Sequence, residues 1–222
     1  MDRASDTKLI KKGAEASLFL VEWQGRRAVV KTRLRKKYRP VSLDQQIRTY
    51  RTVHEPQLLH EAKCAGVPTP IVYMVDLDEA SIIMEFVEGK QVKQLLGQVT
   101  EDKRRELCRR IGVLIGKLHL RGIVHGDLTT SNMILSSKNT IFFVDFGLGE
   151  RTEDLEERAV DLHLMKRALQ SSHFQLAGEC FEAVIEGYAS IVGHELTAEV
   201  LGKINEIERR GRYVTKRRSV AE

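Results

Sequence analysis

The stretch His125 to Asn132, HGDLTTSN, followed by two short apolar runs and then Asp145-Phe146-Gly147, restricts what this chain can fold into more than any other part of it. Met133 to Leu135 and Ile141 to Val144 carry β signals around the polar turn Ser136 to Asn139, which predicts a hairpin. A hairpin returns the chain to where it began, so Asp127 and Asn132 before it and Asp145 after it meet at one sheet edge. Each of the three alone is an ordinary turn residue whose side chain bonds nearby backbone. Together they suit a metal and a phosphate. Magnesium takes oxygen ligands and keeps several waters, so the Asp145 carboxylate and the Asn132 amide oxygen, with nucleotide phosphates, make a sufficient site. Asp127 is then left to accept a hydroxyl proton or to orient an attacking water in phosphoryl transfer.

The rest of the chain divides into two regimes. Residues 16 to 33 read as two β segments around Gln24-Gly25, and residues 71 to 86 as another pair around Asp78-Glu79. Between them Ser42, with Gln45 three residues on, forms a capping-box signature for a helix that stops at Ala65-Gly66; Pro56 inside it predicts a kink or a restart. From Thr100, Leu107, Ile111, Leu114, Ile115 and Leu118 recur at helical spacing up to a stop at Gly122, and three more helical segments fill residues 160 to 210. The expected fold class is α+β, with a β-rich part over residues 1–89, a helical part over 90–210 and a basic C-terminal tail over 211–222.

A length of 222 residues with 42% hydrophobic side chains suits one domain or two small lobes with real cores. Cys64, Cys108 and Cys180 are odd in number and widely spaced, so they indicate neither a disulfide framework nor a zinc site and read as small buried hydrophobes. No apolar run is long enough to cross a bilayer, and the N-terminus lacks the apolar core of a signal peptide; the expectation is a soluble intracellular protein with no membrane contact. The net charge of +5 is moderate, but positive charge clusters in KTRLRKKYR (31–39) and RRGRYVTKRR (209–218). Such runs attract polyanions through salt-dependent contacts, or else are solvated surface. Trp23 and Tyr73 read as strand packing, and His173 and His194 as surface or helix-end residues.

The joint pattern of HxDxxxxN, hairpin and DFG resembles the protein-kinase-like superfamily. That resemblance implies a bilobal fold, a small β-rich N-lobe over a helical C-lobe, with ATP between them. It implies that Lys31, which ends AVVK, contacts the α/β phosphates, and that a helix glutamate pairs with it, Glu55 being the choice and Glu61 the runner-up. Backbone groups of Glu85 and Val87 in MEFVEG would hold the adenine. The departures narrow the resemblance. The glycine-rich phosphate cover is reduced to KGAEASLF, with only Gly13 matching. Gly126 stands where many kinases carry an arginine that reads a phosphorylated activation loop. Only Glu150 to Arg158 separate DFGLG from helical AVDLHLMKRAL, a shortened activation segment that leaves little to dock a peptide.

With the arginine-rich C-terminus, these departures resemble one narrow family over Leu9 to Arg218: the small atypical kinase/ATPase subunits of the KEOPS (EKC) tRNA-modification complex, the p53-related protein kinase family. The resemblance implies ATP and Mg2+ as cofactors and an atypical serine/threonine kinase or ATPase that supports N6-threonylcarbamoyladenosine formation at position 37 of tRNAs reading ANN codons, with a capacity for autophosphorylation. It also implies a C-lobe contact with the threonylcarbamoyl-transferase subunit, an N-lobe contact with a small subunit, and residence in the cytoplasm, with the nucleus left open. Lys31, Asp127, Asn132 and Asp145 carry over directly. Asp161 matches the aspartate that anchors the catalytic loop from a C-lobe helix, against the alternative of a simple N-cap. Arg209, Arg210, Arg212, Lys216, Arg217 and Arg218 would contact tRNA or a partner, although their spacing is wider than the family's compact run. Competing readings are a small-molecule phosphotransferase of the aminoglycoside- or choline-kinase type, which shares HGDxxxxN, a general serine/threonine protein kinase, and a nucleotide-binding scaffold without turnover.

Overall fold

The computed structural model describes residues 7–218, with side chains through residue 210. Gln24 and Gly25 both take positive φ (50° and 72°), the twist that suits a two-residue hairpin. They join β2 (Ala16–Trp23) to β3 (Arg26–Arg33). With β1 (Lys8–Lys12), β4 (Val72–Asp76) and β5 (Ser81–Glu85), these strands form an antiparallel sheet in the order β1-β2-β3-β5-β4. β3 is its central strand. β1 was not among the expected strands, because all five of its residues are exposed and no buried face imposes an alternating pattern.

Helix α1 (Val41–Cys64) crosses behind this sheet. Two expectations about it are corrected. The N-cap is Pro40 rather than Ser42, which makes no capping bond. The first turn is tied down by buried Asp44, whose carboxylate accepts Lys36 N–H (3.0 Å) and Arg48 Nε (2.9 Å). Nor does Pro56 interrupt the helix, which runs unbroken through it. Proline removes one backbone donor there, but Glu55 is anchored to the sheet, and Leu58, Leu59 and Ala62 are sealed in the core just beyond, so tertiary packing keeps the helix continuous across it.

The second part begins with β6 (Gly89–Gln91), which pairs with β8 (Met133–Ser136); β8 pairs in turn with β9 (Ile141–Phe143), the expected hairpin. Around it lie the short α2 (Val92–Leu95), α3 (Glu101–Leu120), α4 (Leu155–Ser172), α5 (Ala177–Val192) and α6 (His194–Arg218). β7 (Ile123–Val124) pairs with β10 (Glu150–Arg151). One core cluster joins Ile111, Ile115 and Leu118 of α3, Met133 and Phe143 of the hairpin, Phe146, Leu162 and Val184 to Leu58 and Leu59 of α1. Each such fully buried side chain contributes about 1.5–3 kcal/mol, and sharing them fixes α1 against the second part of the chain.

Residues 211–218, expected as a separate tail, instead continue α6, and the side chains of Arg212, Lys216, Arg217 and Arg218 lie outside the described residues. Among the described residues no helix is long and apolar enough to cross a membrane. Cys108 and Cys180 are buried as expected, whereas Cys64, at the exposed end of α1, is not. Trp23 and Tyr73 stack, with ring centroids 5.2 Å apart.

Candidate active site

Strand periodicity puts Lys31 and Arg33 on the face of β3 that looks at α1. Lys31 Nζ donates to Glu55 Oε1 (2.7 Å) and to Asp145 Oδ1 (2.5 Å), so the central strand, the helix and the segment after the hairpin meet at one ammonium. Burial pushes the Lys31 pKa down, but the charges of Glu55 and then Asp145 outweigh it and hold the ammonium above its ordinary value. Burial likewise pushes Asp145 up, and Lys31's charge and hydrogen bond reverse the shift, leaving the carboxyl below its ordinary value. Both groups are therefore charged across the neutral range. The runner-up Glu61 is elsewhere, paired with Arg151.

Asp145 adopts φ +67°, a left-handed conformation that Asp tolerates better than most residues and that turns its half-exposed carboxylate into the cleft. Such outliers persist where the surroundings over-determine them. Here Val144 N–H donates to Asn132 O (3.0 Å) on one side, and Lys31 holds the carboxylate on the other. Asn132 Nδ2 donates to Asp127 O (2.9 Å) and Oδ2 (2.8 Å), which aims the amide's oxygen away from Asp127. An acceptor oxygen on Asn132 and the Asp145 carboxylate form a hard-oxygen donor set that fits Mg2+.

The loop that carries Asp127 hangs from Asp161, buried two turns into α4. Its Oδ2 accepts His125 N–H (2.6 Å) and its Oδ1 accepts Gly126 N–H (2.9 Å). Asp161 is not an N-cap; that position belongs to Asp154, which accepts Glu156 N–H (2.8 Å). Behind Asp161, His119 Nε2 lies 3.4 Å from Oδ2 and His119 Nδ1 lies 3.1 Å from the Tyr188 hydroxyl. Burial pushes that hydroxyl up to about 12, so it stays protonated and can donate to Nδ1, leaving His119 Nε2–H to face Asp161. His125 is oriented by a second pair of bonds: Asp127 N–H donates to Nδ1 (3.3 Å), so Nε2 carries the proton that goes to Val144 O (3.1 Å).

The glycine between His125 and Asp127 has a steric reason. Gly126 sits at φ +75°, and a Cβ there would lie 2.0 Å from Leu148 O, because the segment after Phe146 folds straight back onto the loop and pairs β10 with β7. No arginine fits that gap. Gly126→Arg is expected to cost about 2–4 kcal/mol, from the left-handed backbone and overpacking together; urea unfolding checks it, and a change below about 0.5 kcal/mol would mean that the segment yields.

The cleft has two connected chambers that share Lys11, Leu18, Lys31 and Asp145. One, about 180 Å³, is walled by Ile10, Val29, Met84, Glu85, Phe86 and Val87 and is mostly apolar; the other, about 210 Å³, lies under the Gly13–Ala16 turn and contains Asp127. Gly13 closes that turn through its N–H to Ala16 O (2.9 Å). The Glu85 amide is already spent on Ile71 O (2.8 Å), so an adenine contact at this residue would come through its carbonyl. A larger depression, about 540 Å³, lies between the end of α1 and β10, but its Glu61 and Arg151 neutralise each other. The groups able to act on a phosphate converge in the smaller cleft.

Neither a polyanion-attracting surface nor a solvated one describes the whole of the basic run 31–39. Lys31 and Arg33 are buried, Lys36 bonds Ala14 O and Arg39 pairs with Glu15 (3.6 Å); only Arg35, Lys37 and neutral Tyr38, with Pro40 beyond, face solvent fully. At the other run, Arg210 is engaged with Glu156 (2.7 Å) and Glu206 (3.6 Å), while Arg209 is exposed. Arg33 was read only as part of the basic run and not as a site residue, although its spacing of two from Lys31 on a strand was the signal that both share one face.

This fold and this cleft define a kinase-like protein, and the protein kinase domain family matches residues 7–177. The Rio2 kinase from Chaetomium thermophilum superposes with a TM-score of 0.61 over 93% of this chain and 72% of that one, at 14% identity, a likeness of fold alone. The KEOPS complex subunit Bud32 of Pyrococcus abyssi is 45% identical over 212 residues, 93% of this chain and 96% of that protein. A protein named "Probable bifunctional tRNA threonylcarbamoyladenosine biosynthesis protein" from Methanothermobacter thermautotrophicus is 44% identical over 205 residues, 92% of this chain but 36% of that longer one. The chain therefore belongs to the Bud32 family of kinase-domain proteins.

Proposed function

We propose that the chain is an ATP-dependent atypical kinase/ATPase that works as the kinase-like subunit of a KEOPS-type assembly supporting tRNA threonylcarbamoyladenosine synthesis. The observation that carries the reading is the convergence of Lys31, Glu55, Asp127, Asn132 and Asp145 on one cleft, in a chain of the Bud32 family. The N-lobe would span residues 1–89 and the C-lobe 90–210. Adenine would occupy the apolar chamber beside Glu85 and Val87, with phosphates beneath Gly13. Asn132 and Asp145 would hold Mg2+, which when bound neutralises charge on the β and γ phosphates. Lys31 would steady the α/β phosphates, and Asp127 would accept the proton of an attacking hydroxyl or orient a water. The relatives' names support a multi-subunit assembly and a link to tRNA; within that reading a transferase subunit would sit on the C-lobe, a small subunit on the N-lobe and tRNA near Arg209 and the α6 extension, in a cytoplasmic setting.

The short Glu150–Asp154 link supports hydrolysis over peptide phosphorylation, because little chain is left to seat a peptide. The test follows γ-labelled phosphate from ATP for the chain alone and with its transferase partner and bulk tRNA. Free phosphate rising chiefly with partner and tRNA is the expected outcome. Label accumulating on protein serines instead would make the chain a protein kinase and sink the ATPase reading.

A further inference from the structure

Arg33 is a buried charge beside this site that none of the roles above uses. It is 5% exposed. Its Nη2 donates to Arg51 O (3.0 Å) and pairs with Glu55 Oε2, while Oε1 of the same carboxylate takes Lys31. Glu55 is thus split between two cations from one strand. Arg33 Nε is buried without a partner, the guanidinium lies along Gly147, where a Cβ would come within 3.4 Å of Nη2, and the side chain lines the chamber that contains Asp127 and Asp145.

Resting on the ATP reading above, we propose that Arg33 is a positioning residue for phosphoryl transfer, which keeps Lys31 available to the phosphates by holding half of Glu55. Charge counting carries the argument. As it stands the cluster balances, with Lys31 and Arg33 against Glu55 and Asp145. Once Asp145 is engaged by a metal, Lys31 and Arg33 together exceed Glu55 by one positive charge, which faces the phosphates. Without Arg33 that excess vanishes: both Glu55 oxygens can close on Lys31 and quench it. The same fork fastens α1 to β3 at Arg51 and Glu55. Docking of α1 is thereby built into the strand, in a chain whose Gly126 leaves no room for an arginine that would read a phosphorylated segment.

The test compares binding of Mg2+-ATP and of adenosine by calorimetry. Arg33→Met is expected to weaken ATP about 10- to 100-fold, the worth of a charge-assisted bond, and to leave adenosine affinity unchanged. Arg33→Lys, which keeps the charge, should recover most of the ATP affinity; Arg33→Gln, which keeps donors without charge, should not. Should the Met variant prove unfolded by circular dichroism, the Lys and Gln pair decides alone. Loss of ATP and adenosine in step, or Gln binding ATP as well as Lys, would reduce Arg33 to a structural role and overturn the proposal. A wild-type chain that binds adenosine but not ATP would overturn the ATP reading itself, and the role of Arg33 with it.

Discussion

Asp145→Ala is expected to lower Mg2+-dependent ATP turnover by about 10³-fold, the scale at which a single charge-stabilising group contributes in a preorganised site, while the chain stays folded. The fold should survive because of what Asp145 does and does not hold. Its carboxylate is half exposed, and Lys31 keeps its bond to Glu55 when Asp145 is removed, so the one positive charge by which Lys31 and Arg33 then exceed Glu55 borders the cleft that Asp145 vacates rather than a closed core. The structural cost is the backbone: alanine at φ +67° forfeits the tolerance that aspartate has there, about 1 kcal/mol. Asp145→Asn separates the two effects, since it keeps the left-handed preference and the size but loses the charge. Steady-state phosphate release and thermal unfolding, measured on both variants, should show Asn as inactive as Ala and more stable. Turnover within a few-fold of wild type in the Asn variant would remove Asp145 from the metal site.

What was legible in the sequence follows a physical division. Asp127, Asn132 and Asp145 could be brought together because a short hairpin has few geometries, whereas Glu55 was matched to Lys31, ahead of Glu61, through the resemblance to the kinase pattern, which places a glutamate on the helix between the strands. The start of α1 was misread because Asp44, not Ser42, is held there, and its partner Lys36 belongs to a loop whose position only the folded chain defines. The restart expected at Pro56 fails for the same reason, since the forces that keep α1 continuous come from β3 and the shared core. The basic run 31–39 shows the converse failure. Charge is visible in a sequence and burial is not, so Arg33, which pairs with an internal carboxylate, was counted in a run that would face either polyanions or solvent.

Asp161 tests how far the catalytic loop depends on the helical half. The loop makes its sharp turn at Gly126 only because two consecutive amides, His125 and Gly126, find an acceptor, and both use the single carboxylate of Asp161, which is 1% exposed. Asp161→Ala would leave both N–H groups and His119 Nε2 facing a cavity, and a buried donor without an acceptor costs about 1–3 kcal/mol. Because the groups are neighbours and one water can satisfy part of the deficit, their costs do not add fully; the expected loss is about 3–5 kcal/mol, a large share of the 5–15 kcal/mol typical of a domain. Asp161→Asn keeps one oxygen but points an amide N–H at a donor, so it should fall between wild type and Ala. Urea unfolding gives the order directly. Turnover measured in the cold, where the variants remain folded, should drop as well, because Asp127 is carried by the released loop. A stable Asp161→Ala chain with normal turnover would mean that the β7–β10 pairing and the His125–Val144 bond suffice to shape the loop, and that the carboxylate only fills space between α3 and α4.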